Sequence, residues 1–91
     1  MSVWDDIADS REEAENLKVR AALMRAIRAR IVEAGWSQSV AAEHLGLTQP
    51  RVSDLFRGKI SKFSLDALVD AGAALGIHVR VEVDERNRVP T

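Results

Sequence analysis

Cysteine is absent from this chain of 91 residues. That excludes a disulfide framework, a thiolate zinc site and a cysteine nucleophile, and it suits a reducing compartment, so the expected location is the cytoplasm. Long apolar runs are also missing, and the first residues, MSVWDDIADSREEAE, put acids where a signal peptide needs a basic and then an apolar stretch. A soluble, non-secreted protein with no membrane partner is therefore expected. Histidine occurs only at His44 and His78, on different elements and without a carboxylate in ligand spacing, which leaves no zinc site and no hydrolase constellation. The five glycines, at 35, 46, 58, 72 and 76, are spaced as helix punctuation rather than as a phosphate-cradling loop. Nothing repeats internally, and the length admits one small core but not a multidomain enzyme. No catalytic residue and no cofactor are expected.

What the chain does contain is a globular composition, 46% hydrophobic and 30% charged, and an uneven distribution of charge. The net charge of −1 conceals three segments. Met1 to Asn16 holds six acids and one base, Leu17 to Lys62 nine bases and three acids, and Phe63 to Thr91 three bases and five acids. A basic block between acidic ends marks an anion-binding face in the middle of the chain.

Helix signals fill most of that middle. Ser10, Arg11, Glu12 and Glu13 form a capping box, and the apolar stripe Leu17, Ala21, Met24, Ile27, Ile31, Ala34 follows at helical spacing as far as Gly35. Ser37 caps a short second helix with Val40, Ala41 and Leu45 inward, and Gly46 stops it. Thr48 caps a third, with Pro50 in its first turn, running toward Arg57 and Gly58. Phe63 before Ser64 reads as a hydrophobic staple onto Leu68, opening a fourth helix with Leu65, Leu68, Val69 and Leu75 inward, which ends at Gly76. The period then becomes two: Ile77, Val79, Val81 and Val83 share one face, and His78, Arg80, Glu82 and Asp84 the other. A lone strand cannot satisfy its own backbone, and no second alternating stretch exists to pair with it. The expected partner is a second copy across a two-fold axis. The expected organisation is an N-terminal arm over 1–9, a helical domain over 10–76, a dimerisation strand over 77–84 and a flexible tail over 85–91.

The segment QSVAAEHLGLTQPRVSDLFR, 38–57, joins two short helices through Gly46, Leu47 and Thr48, a link with room only for a tight turn. This is a helix-turn-helix signature, whose second helix enters the major groove N-terminal end first. Small Ala42 permits a close helix crossing, while Leu45, Leu47, Val52 and Leu55 fill the space beneath. The expected DNA contacts are Gln38, Thr48, Gln49, Pro50, Arg51, Ser53, Asp54, Arg57, Lys59 and Lys62. Gln49 has the amide to pair with adenine, and Arg51 the fork to pair with guanine. Gln38 is placed to bond a phosphate or to buttress Gln49, and Arg57, Lys59 and Lys62 offer charge to the backbone. Asp54 would repel a phosphate, so it is expected to accept from a cytosine amino group or to orient Arg51 or Arg57. Arg25, Arg28 and Arg30 are expected only to keep the first helix soluble, and Trp36 to pack in the core or turn.

Gln38 to Lys59, with the glutamine pair Gln38 and Gln49, resembles the phage-repressor-like helix-turn-helix class, the Cro and repressor or xenobiotic-response-element family. The longer stretches VWDDIADSREEAENLKVRAALMRAI and TQPRVSDLFRGKISKFSLDALVDAGAALGIHV resemble the antitoxins of host-inhibition-of-growth toxin–antitoxin pairs, departing from the group's commoner pattern at Ser37 and Lys62. The resemblance implies a mainly α, phage-repressor-like bundle that represses its own operon as a dimer and neutralises a small basic ribonuclease toxin. For such a partner the acidic N-terminal segment with Trp4 and Ile7 is a candidate dock. The same two residues serve equally well folded back onto their own first helix. Two alternatives stay open beside the antitoxin: a stand-alone regulator with no toxin, and a protein-interaction module without DNA binding.

Overall fold

The structure, a computed structural model, describes residues 11–85. The Ser10 cap, the arm over 1–9 with Trp4 and Ile7, and most of the expected tail lie outside the described residues. Among the described residues four α-helices and one 3-10 turn follow in order: α1 Arg11–Ala34, α2 Gln38–Leu45, α3 Gln49–Phe56, the turn Ile60–Lys62, and α4 Leu65–Ala74. None is long and apolar enough to cross a membrane.

Local chemistry sets the boundaries. The Ser37 hydroxyl accepts from Val40 N at 3.1 Å, Thr48 from Arg51 N at 3.4 Å and Ser64 from Ala67 N at 3.1 Å, so three helices start on side-chain caps. Gly46 takes φ +68° after α2, and its N–H returns to Ala42 and Glu43 carbonyls. A left-handed residue there lets Leu47 N bond Ala42 O at 3.0 Å and turns the chain directly into α3. No atom lies within 4 Å of the position a Cβ would take, so the cost of a side chain at 46 is purely conformational. Gly46→Ala is expected to lower stability by about 1–2 kcal/mol, the penalty of an L residue in the left-handed region. Urea unfolding that matches the parent would show that the turn relaxes to another conformation.

α1 packs along α4, and α2 against α3. Ile27, Ile31, Val52, Leu55 and Leu68 are fully buried at the centre, joined by Leu23, Met24, Leu45, Phe63 and three alanines. Burying these aliphatic side chains supplies the main stabilisation, at roughly 25 cal/mol per Å² of apolar surface. Two expectations need correction. Val40 is 37% exposed, while Ala41 and Ala42 turn inward beside Leu45. Two small residues there let the α2 backbone approach its neighbours, and the resulting rotation carries Val40 off the inner face. Ala34, at the end of the α1 stripe, is exposed, and Leu23 is buried instead. Phe63 and Leu68, read as a staple, both lie in the core, 2% and 0% exposed.

Beyond Gly76 the described residues 77–85 belong to no helix, and no strand occurs among the described residues. The pairing expected for 77–84 needs a second chain, so a single copy leaves that expectation open.

Candidate nucleic-acid interface

α3 offers its first turn to solvent. Thr48, Gln49 and Pro50 are exposed, as is Gln38 at the start of α2, whereas Val52 and Leu55 anchor the opposite side of α3 in the core. An eight-residue helix has little stability alone, so this inner face and the Thr48 cap hold the outer residues in place. Arg57, Lys59 and Lys62 are exposed just beyond its C-terminal end. Ser53 and Asp54 are half-buried on its flank.

Arg51 is the member of the set whose placement differs most from expectation. Its Nη1 donates to Lys62 O at 2.7 Å, and its guanidinium carbon lies 4.3 Å from the centre of the Phe63 ring. The side chain is thus folded over the 3-10 turn by a charge-assisted hydrogen bond and a cation–π contact. Asp54 does not orient Arg51 or Arg57, one of the two roles foreseen for it. Its carboxylate lies 3.8 Å from Lys59 Nζ, so it partners that lysine rather than Arg51 or Arg57. At this distance and with Lys59 about half exposed, the pair orients the ammonium without much strength.

Two residues of α1 matter more than their sequence context announces. Arg20 Nη1 donates to Ile60 O at 3.0 Å and to Phe63 O at 3.1 Å, while its Nε donates to Asn16 Oδ1 at 2.6 Å. The 3-10 turn is therefore held from α1 by Arg20 and from α3 by Arg51, and it carries Lys62 between the two. Arg28, expected only to solubilise α1, donates to Phe56 O at 3.5 Å, a long bond at the C-terminal end of α3 where cations suit the helix dipole. A signal for both existed: Arg20 and Arg28 flank Leu17, Met24 and Ile31 on the apolar side of α1, where a charged residue requires a partner. Arg25 and Arg30 are exposed.

Trp36 packs against the core and meets His44 with ring centres 3.8 Å apart. Among the described residues no group of histidines and acids is spaced to hold a metal ion. The arrangement offers two exposed amides, the Arg51 guanidinium held over the turn, and several ammonium or guanidinium groups around one helix start. Such a set is able to hydrogen-bond base edges and to neutralise phosphates.

The sequence model of a family described as "Helix-turn-helix domain" matches residues 6–84. A solved structure described as "Putative XRE Family Transcriptional Regulator" is similar to this chain with a TM-score of 0.75 and 33% identity, covering 87% of this chain and 89% of that one. No curated protein matches.

Proposed function

The chain belongs to the helix-turn-helix domain family, and from that premise we propose that it is a sequence-specific repressor which binds a palindromic operator as a homodimer and serves as the antitoxin of its operon. DNA-binding transcriptional regulation is the coarse function. The observation that carries the finer reading is the exposed, capped start of α3, with Gln49 and Arg51 on it and Arg57, Lys59 and Lys62 around it. Gln49 and Arg51 read bases, Thr48 and Pro50 shape the helix start that approaches the duplex, and Gln38, Ser53, Arg57, Lys59 and Lys62 address the backbone. Asp54 steadies Lys59. Two such helices related by a two-fold axis enter successive major grooves about 34 Å apart. The residues proposed for the dimer contact are Ile77, Val79, Val81 and Val83.

The antitoxin half rests on the resemblance over nearly the whole chain and on the acidic segment with Trp4 and Ile7, whose charge suits a small basic ribonuclease. Expressing the gene with its neighbour and purifying through a tag on this chain tests both halves. A companion ribonuclease together with protection of the promoter supports the whole reading. Promoter protection without a companion leaves a stand-alone repressor, and a companion without promoter protection leaves an interaction module.

Arg57 separates backbone from base contacts. Arg57→Ala is expected to weaken operator and scrambled duplexes alike and to flatten the slope of log K against log salt by about one unit per half-site. A loss confined to the operator would make Arg57 a base reader instead.

A further inference from the structure

The helical bundle hands over to the C-terminal segment at Ile77, whose N–H donates to Gly72 O at 2.8 Å. A Cβ at Gly72 would stand 3.5 Å from Ile77 Cβ, so the glycine lets this anchor sit directly on α4. From there the segment passes α1, leaving an open groove of about 340 Å³ lined by the apolar Val19, Ala22, Leu23, Ile77 and Val79 and by Lys18, His78 and Arg80. Val19 and Val79 are each 44% exposed, and Val81 and Val83 are 78% and 72% exposed. Two valines on the groove and two further along the segment are uncovered in a single copy.

The residues between those valines identify the cover. His78 and Arg80 precede Val81, and Glu82 and Asp84 follow it, so the segment is basic on one side of Val81 and acidic on the other. We infer that a second copy pairs with this segment antiparallel in one register, with Val81 on the two-fold axis. This rests on the homodimer reading above and adds its geometry. With Val81 opposite Val81, Arg80 faces Glu82 of the second copy and His78 faces Asp84, while Val79 faces Val83 on the apolar side. The Arg80–Glu82 pairs in that register are of opposite sign, and no like charges meet. Moving the axis to position 80 sets Arg80 against Arg80, moving it to 82 sets Glu82 against Glu82, and parallel in-register pairing does both. A slip by an odd step would put the valines on the charged face. The charge pattern therefore selects a register that the valines alone leave degenerate. It also brings Val83 of the second copy beside Val79 and Val19, over the open groove.

Cysteine cross-linking of the full chain tests the register, because the parent has no thiol of its own. Val81→Cys is expected to form a covalent dimer on mild oxidation, since directly opposed side chains are close enough for a disulfide. Val79→Cys alone is expected not to, because its counterpart lies about 13 Å along the ladder, whereas Val79→Cys combined with Val83→Cys restores cross-linking. Arg80→Glu should raise the dimer dissociation constant about tenfold, and adding Glu82→Arg in the same chain should return it to the parent's value. Helical circular dichroism checks that each variant folds. A sedimenting dimer that cross-links through Val79→Cys alone, or not at all through Val81→Cys, overturns the register and leaves the homodimer standing. A parent that sediments as a monomer throughout overturns both.

Discussion

Arg51→Ala is expected to erase the preference for one base pair in each half-site of the selected operator. A bidentate arginine–guanine contact contributes about 1–3 kcal/mol of discrimination, and a two-fold operator carries it twice. The combined loss is about 30-fold or more in operator affinity, with a much smaller loss on scrambled DNA. The geometry adds a condition. To reach a base edge the guanidinium must leave Lys62 O and the Phe63 ring, which hold it at 2.7 Å and 4.3 Å. The base contact proposed for it is thus a net exchange, in which a hydrogen bond to a carbonyl is replaced by two to guanine. Arg51→Lys tests that exchange: a lysine keeps the charge but lacks the planar fork, so affinity for all sequences should survive better than discrimination. Titration of the selected duplex and single-base variants by fluorescence anisotropy reads both quantities. Discrimination unchanged in Arg51→Ala would transfer base reading to Gln49 and leave Arg51 as a clamp on the turn.

The other large effect concerns folding. Leu55 is fully buried on the inner face of α3, and Leu55→Ala is expected to destabilise the chain by about 2–5 kcal/mol. For a domain of this size that lowers the midpoint of thermal unfolding by roughly 10 °C or more, a large share of a total stability of about 5–14 kcal/mol. The same helix carries the residues proposed to face DNA, so operator binding should fall with the folded fraction and recover on cooling. Calorimetry and binding at two temperatures distinguish this from Arg51→Ala, which should unfold close to the parent. A midpoint shift below about 5 °C would mean that α3 repacks readily around the missing atoms.

Where a signal is local, the sequence stated it. Ser37, Thr48 and Ser64 cap the helices they were expected to cap, and Gly35, Gly46, Gly58 and Gly76 all take positive φ. Both depend on residues three or four apart. Val40 escaped because three adjacent apolar residues, Val40, Ala41 and Ala42, leave the rotation of a short helix undecided until its neighbours choose the small pair. Arg20 and its carbonyl partners are separated by 40 and 43 positions, and the pose of Arg51 depends on a 3-10 turn that had no periodic pattern to announce it. The exposed set at the start of α3 was legible because Thr48 and Pro50 fix where the helix begins. How its side chains are held was not, because that is decided by contacts from α1 and from the turn.

The turn at Ile60–Lys62 is short, close to the surface and lysine-bearing, the usual description of a place where a protease cuts. Its carbonyls are nonetheless gripped from two helices, by Arg20 and by Arg51, and Phe63 beside it is buried. A trypsin-like enzyme needs several residues of extended backbone in its cleft, which this turn yields only if both arginines let go. Arg80 stands in a segment outside any helix, with exposed residues on both sides. In a single copy Arg80 is therefore the open site and the turn beside α3 the guarded one: cleavage after Arg80 removes Val81 and Val83 and leaves α3 intact, and a paired second copy is expected to shield Arg80 as well.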